Sequence, residues 1–214
     1  MVMLENMGKL EVGVILENKL GITSSAELAD AEERLSKKRA AELFDNGLLE
    51  SLEAGSFAAL KAIHRHLFGD IYDFAGEMRS VDIAKGGFRF APVLYLADAV
   101  ARIEAMPQSA FDEIAEKYVE MNVAHPFREG NGRAMRIWLD VMLKRELGRA
   151  VDWSRVDKED YLLAMERSPV RDTEIKSLLS AALTDAIGDR EVFMKGIDAS
   201  YSYEGYESYD ASAL

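Results

Sequence analysis

Cysteine is absent from all 214 residues. That excludes disulfides, thiolate metal sites and a cysteine nucleophile, and makes a reducing cytoplasm the natural setting. Proline is scarce, with four in the whole chain, so little interrupts a helix. Basic residues are outnumbered, 26 Lys and Arg against 38 Asp and Glu, for a formal charge of −12. This excludes a broad nucleic-acid surface, because phosphate backbones require clustered cations, and any phosphate site must be local. No apolar run approaches the roughly 20 residues of a membrane helix. The charges scattered through the opening stretch, MVMLENMGKLEVGVILENK, are unlike a signal peptide. These absences predict a soluble, cytoplasmic protein without a membrane or nucleic-acid partner.

What is present is hydrophobic residues at helical spacing. At 49% hydrophobic composition the chain can bury a substantial core, and it suits one large unit better than two small ones. Apolar residues recur at three- and four-residue steps among many Ala, Leu, Glu and Lys, which predicts a mostly α fold. Ser24-Ser25-Ala26-Glu27 reads as a helix start leading into ELADAEERLSKKRAAELFDNG, closed by Gly47. Further helices are expected at SFAALKAIHRHLF, LYLADAVARIEAM, FDEIAEKYVEMNVA and RAMRIWLDVMLKREL, then at KEDYLLAMERS, DTEIKSLLSAALTDAI and DREVFMKGIDASYSYE. The exception is VDIAKGGFRFAP, where apolar residues flank Gly86-Gly87 in the manner of a two-residue hairpin. The expected organisation is an N-terminal helical segment at 1–48, a core domain at 49–188, a C-terminal helix at 189–207 and a tail at 208–214.

The chemistry concentrates in HPFREGNGR, residues 125–133, with a second arginine three positions later. Pro126 discourages continued helix, so His125 is placed at a helix exit. Gly130 and Gly132 permit a tight turn with available backbone N–H groups just before a helix starting near Arg133, a combination suited to anions. Arg133 and Arg136 are three apart on that helix and can each grip a phosphate. Glu129 supplies a carboxylate of the kind that a phosphate-bound Mg²⁺ requires. A neutral histidine, with an ordinary pKa near ~6.5, can take the proton of an attacking hydroxyl. The inferred reaction is transfer of a phosphate-containing group to a hydroxyl, and no GxxxxGK(S/T) motif occurs to suggest a P-loop. His64 and His66 point in different directions on a helix and are read as packing or surface residues. Met135, Trp138 and Met142 are read as core.

The run His125-Pro126-Phe127-Arg128-Glu129-Gly130-Asn131-Gly132-Arg133-Ala134-Met135-Arg136 resembles the signature of Fic domains, HxFx(D/E)GNGRxxR, with every fixed position filled. LKAIHRHLFGDIYDFAGEMR resembles the approach to a Fic core, and IAKGGFRFAP is similar to the family's target-docking flap, here Lys85, Gly86, Gly87 and Phe88. The resemblance covers residues 50–150 most strongly. It implies an all-α Fic-type helical core with a short β-hairpin flap, and transfer of AMP from ATP to a Ser, Thr or Tyr hydroxyl of a target protein, with release of pyrophosphate. It further implies His125 as general base, Glu129 as Mg²⁺ ligand, and Gly130, Asn131 and Gly132 as the anion hole. Arg133 and Arg136 would hold the β- and γ-phosphates, and Phe127 would anchor the loop in the core. The flap would align the target by backbone pairing. Relatives acting as kinases carry NKR, whereas NGR here favours nucleotidyl transfer.

Near the end, Ser200-Tyr201-Ser202-Tyr203-Glu204-Gly205 resembles the family's inhibitory motif, a Ser or Thr, three residues, Glu, then Gly or Asn. Ser200 and Glu204 share a helical face, and Gly205 suits a helix stop. A carboxylate there could pair with Arg136 and deny it to the γ-phosphate. Tyr201, Tyr203 and Tyr206, with Tyr209, are candidates for self-modification that would prevent redocking. Two alternatives stay open: removal of AMP from modified proteins using Glu204, and a nucleotide-sensing module with negligible turnover. Self-association hiding the C-terminal helix is a further control the sequence leaves open.

Overall fold

A computed structural model describes residues 15–85 and 88–203. Gly86, Gly87, Glu204, Gly205, Tyr206 and Tyr209 lie outside the described residues, and with them the tip of the hairpin and the end of the inhibitory motif.

Local chemistry sets most of the helix ends. Helix α1 (Ser25–Asp45) starts where the Ser24 side chain accepts a hydrogen bond from the Glu27 N–H, and α3 (Phe57–Phe68) starts where Ser56 does the same for Ala59 at 3.0 Å. Between them lies one short turn, α2 (Leu48–Ser51). Next come α4 (Val93–Glu104), α5 (Phe111–Ala124) and α6 (Asn131–Leu147), then α7 (Lys158–Arg167), α8 (Thr173–Ala181) and α9 (Arg190–Ser202). Asp157 and Asp189 cap α7 and α9 by accepting from first-turn N–H groups.

The expected hairpin is present as β1 (Ala84–Lys85) and β2 (Phe88–Arg89), antiparallel, with Ala84 opposite Arg89 and Lys85 opposite Phe88. Two expectations are corrected. The helix expected from residue 172 to 187 stops at Ala181, because Leu183–Thr184 (β4) instead pairs with Ala150–Val151 (β3), and the Asp152 N–H donates to the Ala182 carbonyl at 2.9 Å. Helix α6 begins two residues before Arg133, at Asn131, because Gly130 takes the left-handed turn (φ +72°) that opens it.

Helix α6 forms the centre. Met135, Trp138, Leu139 and Met142 are fully enclosed, as the apolar stripe predicted, and meet Leu60 and Ile63 of α3 and Ile114 and Tyr118 of α5. Each large side chain buried this way contributes on the order of 1.5–3 kcal/mol. Helix α1 packs on α3, and α9 lies across α1 and α6. Met194, Ile197 and Tyr201 of α9 join the same core as Leu43 of α1. The face that α1 turns inward also carries charge, since Glu32, Glu33, Ser36 and Lys37 are all at most 2% exposed. No described helix is long and apolar enough to cross a membrane.

Candidate active site

Helix α5 ends at His125, whose φ of 49° puts a non-glycine residue in the left-handed region and turns the chain out of the helix. The ring stacks on Phe90, immediately after β2, with centroids 3.7 Å apart. Its Nδ1 lies 3.3 Å from the Asn122 carbonyl, which can only accept, so this contact favours a proton on Nδ1; a neutral ring then has its lone pair on Nε2. That is the tautomer a base requires.

The turn after it is held from inside. Phe127 is fully buried between Phe57 and His64, the latter at 3.9 Å between ring centroids. The Asn131 side chain closes the turn by accepting from the Phe127 N–H (2.8 Å) and donating to its carbonyl (2.7 Å). Its side chain therefore clamps the loop, and only its backbone faces the anion site. Gly130 has no alternative, because a Cβ there would come within 2.5 Å of the Phe68 ring on top of the left-handed strain. The first intrahelical bond of α6 runs from the Ala134 N–H to the Gly130 carbonyl, so the N–H groups of Asn131, Gly132 and Arg133 form a helix N-terminus of the type that attracts anions.

An anionic oxygen already marks this place. Glu129 Oε1 accepts from the Gly130 N–H at 2.9 Å and from Arg133 Nη2 at 3.0 Å. A carboxylate oxygen between a loop amide and a guanidinium is bound as an anion. The Glu129 side chain is 42% exposed, and among the described residues no group of three or more acidic or histidine side chains makes a metal cage. One solvent-facing carboxylate is too few donors for a resident metal but fits a Mg²⁺ that would arrive on phosphates supplying most of its oxygens.

The two arginines are brought to one helix face and then held by different neighbours. Arg133 sits between the rings of Phe68 and Tyr201 and pairs with Glu32 of α1 as well as with Glu129. Arg136 donates through Nε to Ser200 Oγ at 2.7 Å and through Nη2 to the Ser200 carbonyl at 3.0 Å. Rings of Trp153, Tyr161 and Tyr203 surround its guanidinium. Of the candidate inhibitory residues, Ser200 contacts Arg136, whereas Glu204, the expected partner of that arginine, lies outside the described residues. The hydroxyls of Tyr201 and Tyr203 turn inward, to Ser36 and to the Val156 carbonyl, so neither is available for modification while α9 is docked.

Three supporting residues, Arg79, Tyr72 and Glu32, have no role assigned from the sequence alone, although the first two lie in the stretch that resembles the approach to the core. Arg79, its side chain enclosed, donates to the carbonyls of Val81, Ala91, Ala124 and His125 and so ties the hairpin base to the histidine turn. Glu32 holds Arg133, and Tyr72 in turn donates to Glu32. His64, read as packing, is packed but also has a task. Its Nδ1 accepts from the Gly76 N–H, and its Nε2–H donates to the Glu129 carbonyl at 2.8 Å.

Burial pushes the His64 imidazole down to about 4, with the nearby Arg133 cation adding to the effect. The folded form thus refuses a proton that the unfolded chain accepts below about 6.5. Stability from this residue is complete above pH 6.5 and is lost as pH falls toward 4, by about 3 kcal/mol in all. Asp140, pushed up to about 7 by burial, works the other way and costs stability as pH rises across the same range. The two separate by mutation: the stability advantage of wild type over His64→Gln, measured by urea unfolding, should shrink steadily from pH 6.5 to 4. A constant difference would remove His64 as the cause.

Known proteins resemble this chain in sequence and fold. Residues 55–143 match the Fic/DOC family. The chain is 33% identical over 196 residues to the protein adenylyltransferase VbhT of Bartonella schoenbuchensis, a match covering 85% of this chain but only 40% of that protein. It is 30% identical over 184 residues to the probable protein adenylyltransferase Fic of Salmonella typhimurium, covering 80% of this chain and 89% of the relative. Among solved structures, BepC of Bartonella tribocorum with bound AMPPNP superposes with a TM-score of 0.67 at 20% identity, covering 81% of this chain and 94% of that one.

Proposed function

This chain belongs to the Fic/DOC family, and from that premise we propose that it is a self-inhibited protein adenylyltransferase, moving AMP from ATP to a Ser, Thr or Tyr hydroxyl of a target protein. The observation that carries the reading is the coincidence, on one turn, of a histidine whose Nδ1 faces a backbone carbonyl, a carboxylate oxygen held by the Gly130 N–H and Arg133 just ahead of a helix N-terminus, and two arginines. His125 accepts the proton of the target hydroxyl as its oxygen bonds to the α-phosphorus. The bond from that phosphorus to the bridging oxygen breaks, and pyrophosphate leaves with the electron pair. The N–H groups of Asn131, Gly132 and Arg133, with the Arg133 guanidinium, bind phosphate oxygens, and Arg136 would take the γ-phosphate. Glu129 would hold Mg²⁺, which when bound offsets the charge of the phosphates. The hairpin strand β2 ends at Arg89, one residue before the Phe90 ring that stacks on His125, so a target strand added at the hairpin, where Lys85 pairs with Phe88, would bring its hydroxyl near the base.

Self-inhibition is supported by the state of Arg136. At 4% exposure, bonded twice to Ser200 and enclosed by aromatic rings, it cannot meet a γ-phosphate until the end of α9 withdraws. A docking preference of ~2.7 kcal/mol would leave about 1% of molecules active. Self-modification of Tyr201 or Tyr203 belongs to the withdrawn state, since both hydroxyls are otherwise buried. The testing experiment is incorporation of α-labelled ATP with Mg²⁺ into the protein and into cell extract. We expect little label with wild type, a large rise with Glu204→Gly, and none with Glu204→Gly plus His125→Ala. Silence in all three with ATP binding intact would overturn the transferase reading in favour of a nucleotide-sensing module. Loss of label from a pre-modified protein would favour AMP removal.

A further inference from the structure

Among the described residues, the Arg133 guanidinium touches two carboxylates of opposite character. Glu129 belongs to the turn, is 42% exposed, and its Oε1 is shared with the Gly130 N–H. Glu32 comes from α1, 101 residues away in the chain and outside the segment matched to the family, and its side chain is 3% exposed. Its Oε1 takes Arg133 Nη1, and its Oε2 takes the Tyr72 hydroxyl. Burial, reinforced by the Glu32 charge, pushes the Tyr72 hydroxyl far up, so it remains a donor at every physiological pH. The rings of Phe68 and Tyr201, with centroids 4.8 and 5.2 Å from the guanidinium carbon, restrict tilt of the guanidinium plane. Rotation within that plane is restricted by hydrogen bonds, and of the two carboxylate contacts among the described residues the Glu32 one is shielded from solvent.

We propose that Glu32 is a positioning residue for the polyphosphate site: it fixes Arg133 through Nη1 so that Nη2 stays aimed at the anion position beside the Gly130 N–H. The proposal rests on the adenylyltransferase reading only for the identity of the phosphate chain. Glu129 and Glu32 then divide the work by solvent access. An incoming phosphate oxygen displaces the exposed Glu129 carboxylate from Nη2 and the Gly130 N–H, and the displaced carboxylate becomes available to a cation. Glu32, buried and held by Tyr72, stays in place throughout. A guanidinium that is already oriented loses less freedom when phosphate binds, so the benefit appears as affinity for the nucleotide and not as a faster chemical step. A purely structural role predicts the reverse, a lower melting temperature with unchanged affinity in the folded protein.

The test uses the full chain with Glu204→Gly, so that α9 does not limit access, and compares Glu32→Gln, Glu32→Ala, Arg133→Ala and the Glu32→Ala/Arg133→Ala double variant. Two readouts are needed: KM and kcat for ATP in AMP transfer, and calorimetric affinity for inorganic tripolyphosphate. Glu32→Gln keeps an oxygen acceptor for Nη1 and should stay within about threefold of the parent, whereas Glu32→Ala should raise KM and weaken tripolyphosphate binding about tenfold with kcat little changed. The double variant should equal Arg133→Ala alone, because Glu32 acts only through that side chain. If removal of Glu32 unfolds the protein, Tyr72→Phe provides a milder version, with an expected rise in KM of about threefold at unchanged melting temperature. Multiplicative effects in the double variant, or unchanged tripolyphosphate affinity in folded Glu32→Ala and Tyr72→Phe, overturn the proposal even if AMP transfer is robust. Conversely, the non-additive pattern in tripolyphosphate binding by a protein that transfers nothing upholds the proposal while the transferase reading fails.

Discussion

An Arg79→Met variant is expected to melt about 10 °C below its parent and to lose most transfer activity even at temperatures where it is folded. Its guanidinium donates to four backbone carbonyls, including His125 at 2.8 Å and Val81 at 2.8 Å, while the Arg79 backbone N–H, which any residue but proline keeps, donates to the Pro126 carbonyl at 2.8 Å. Methionine fills comparable space but leaves those acceptors without a donor. Each orphaned carbonyl costs about 1–3 kcal/mol, and partial relaxation leaves a net loss of roughly 3–5 kcal/mol. At about 2–4 °C per kcal/mol for a chain of this size, that is a fall near ~10 °C. The activity loss is larger in proportion because two groups move together. Ala124 and His125 belong to the histidine turn, while Val81 and Ala91 flank the hairpin, and Arg79 joins them. Thermal melting by circular dichroism, with transfer measured at about 20 °C beside it, decides the matter. A melting point within about 2 °C of the parent would mean that water replaces the guanidinium and that Arg79 does not brace the site.

His125→Ala should lower transfer by about 10² to 10⁴ while leaving ATP affinity within about twofold. The separation follows from geometry: the histidine ring contacts Phe90 and the Asn122 carbonyl, whereas the anion position is built from Gly130, Arg133 and the first turn of α6. Because the residue sits at φ 49°, alanine also carries a backbone cost of about 1 kcal/mol. Asparagine tolerates that conformation better and cannot act as a base, so His125→Asn should be nearly as inactive and more stable. Single-turnover transfer in the Glu204→Gly background measures this, and retention of more than about a tenth of the parent rate by either variant would remove His125 as the base.

How much of this can be read in advance depends on distance along the chain. Helices α1, α3 and α7 carry their start signals locally, in Ser24, Ser56 and Asp157, and are legible for that reason. The β3–β4 pair is not, since two residues at 150–151 and two at 183–184 have no pattern of their own and become strands only by meeting. The anion turn is legible because amides, carboxylate and guanidinium must be contiguous to share one turn. Its supports are not: Arg79 lies 46 residues from His125, and Glu32 lies 101 from Arg133. Glu32 falls in a run of charges, ADAEERLSKKR, where nothing marks the carboxylate that turns inward. Only the packing of α1 on α3 and α9 picks it out.

The β3–β4 pair has a further consequence for α9. β4 is followed after five residues by α9, whose first residue, Arg190, pairs with Asp45 at the end of α1 through two bonds of 2.8 and 3.2 Å. Withdrawal of Ser200 therefore does not require the helix to leave the molecule, because its first turns can stay tethered while its last turn frays. A tethered segment returns to its seat at an effective concentration in the millimolar range, fixed by tether length and indifferent to how much protein is present. On the proposed reading, relocking is first-order, and dilution alone will not switch the enzyme on. A signal must act on the last turn of α9 itself.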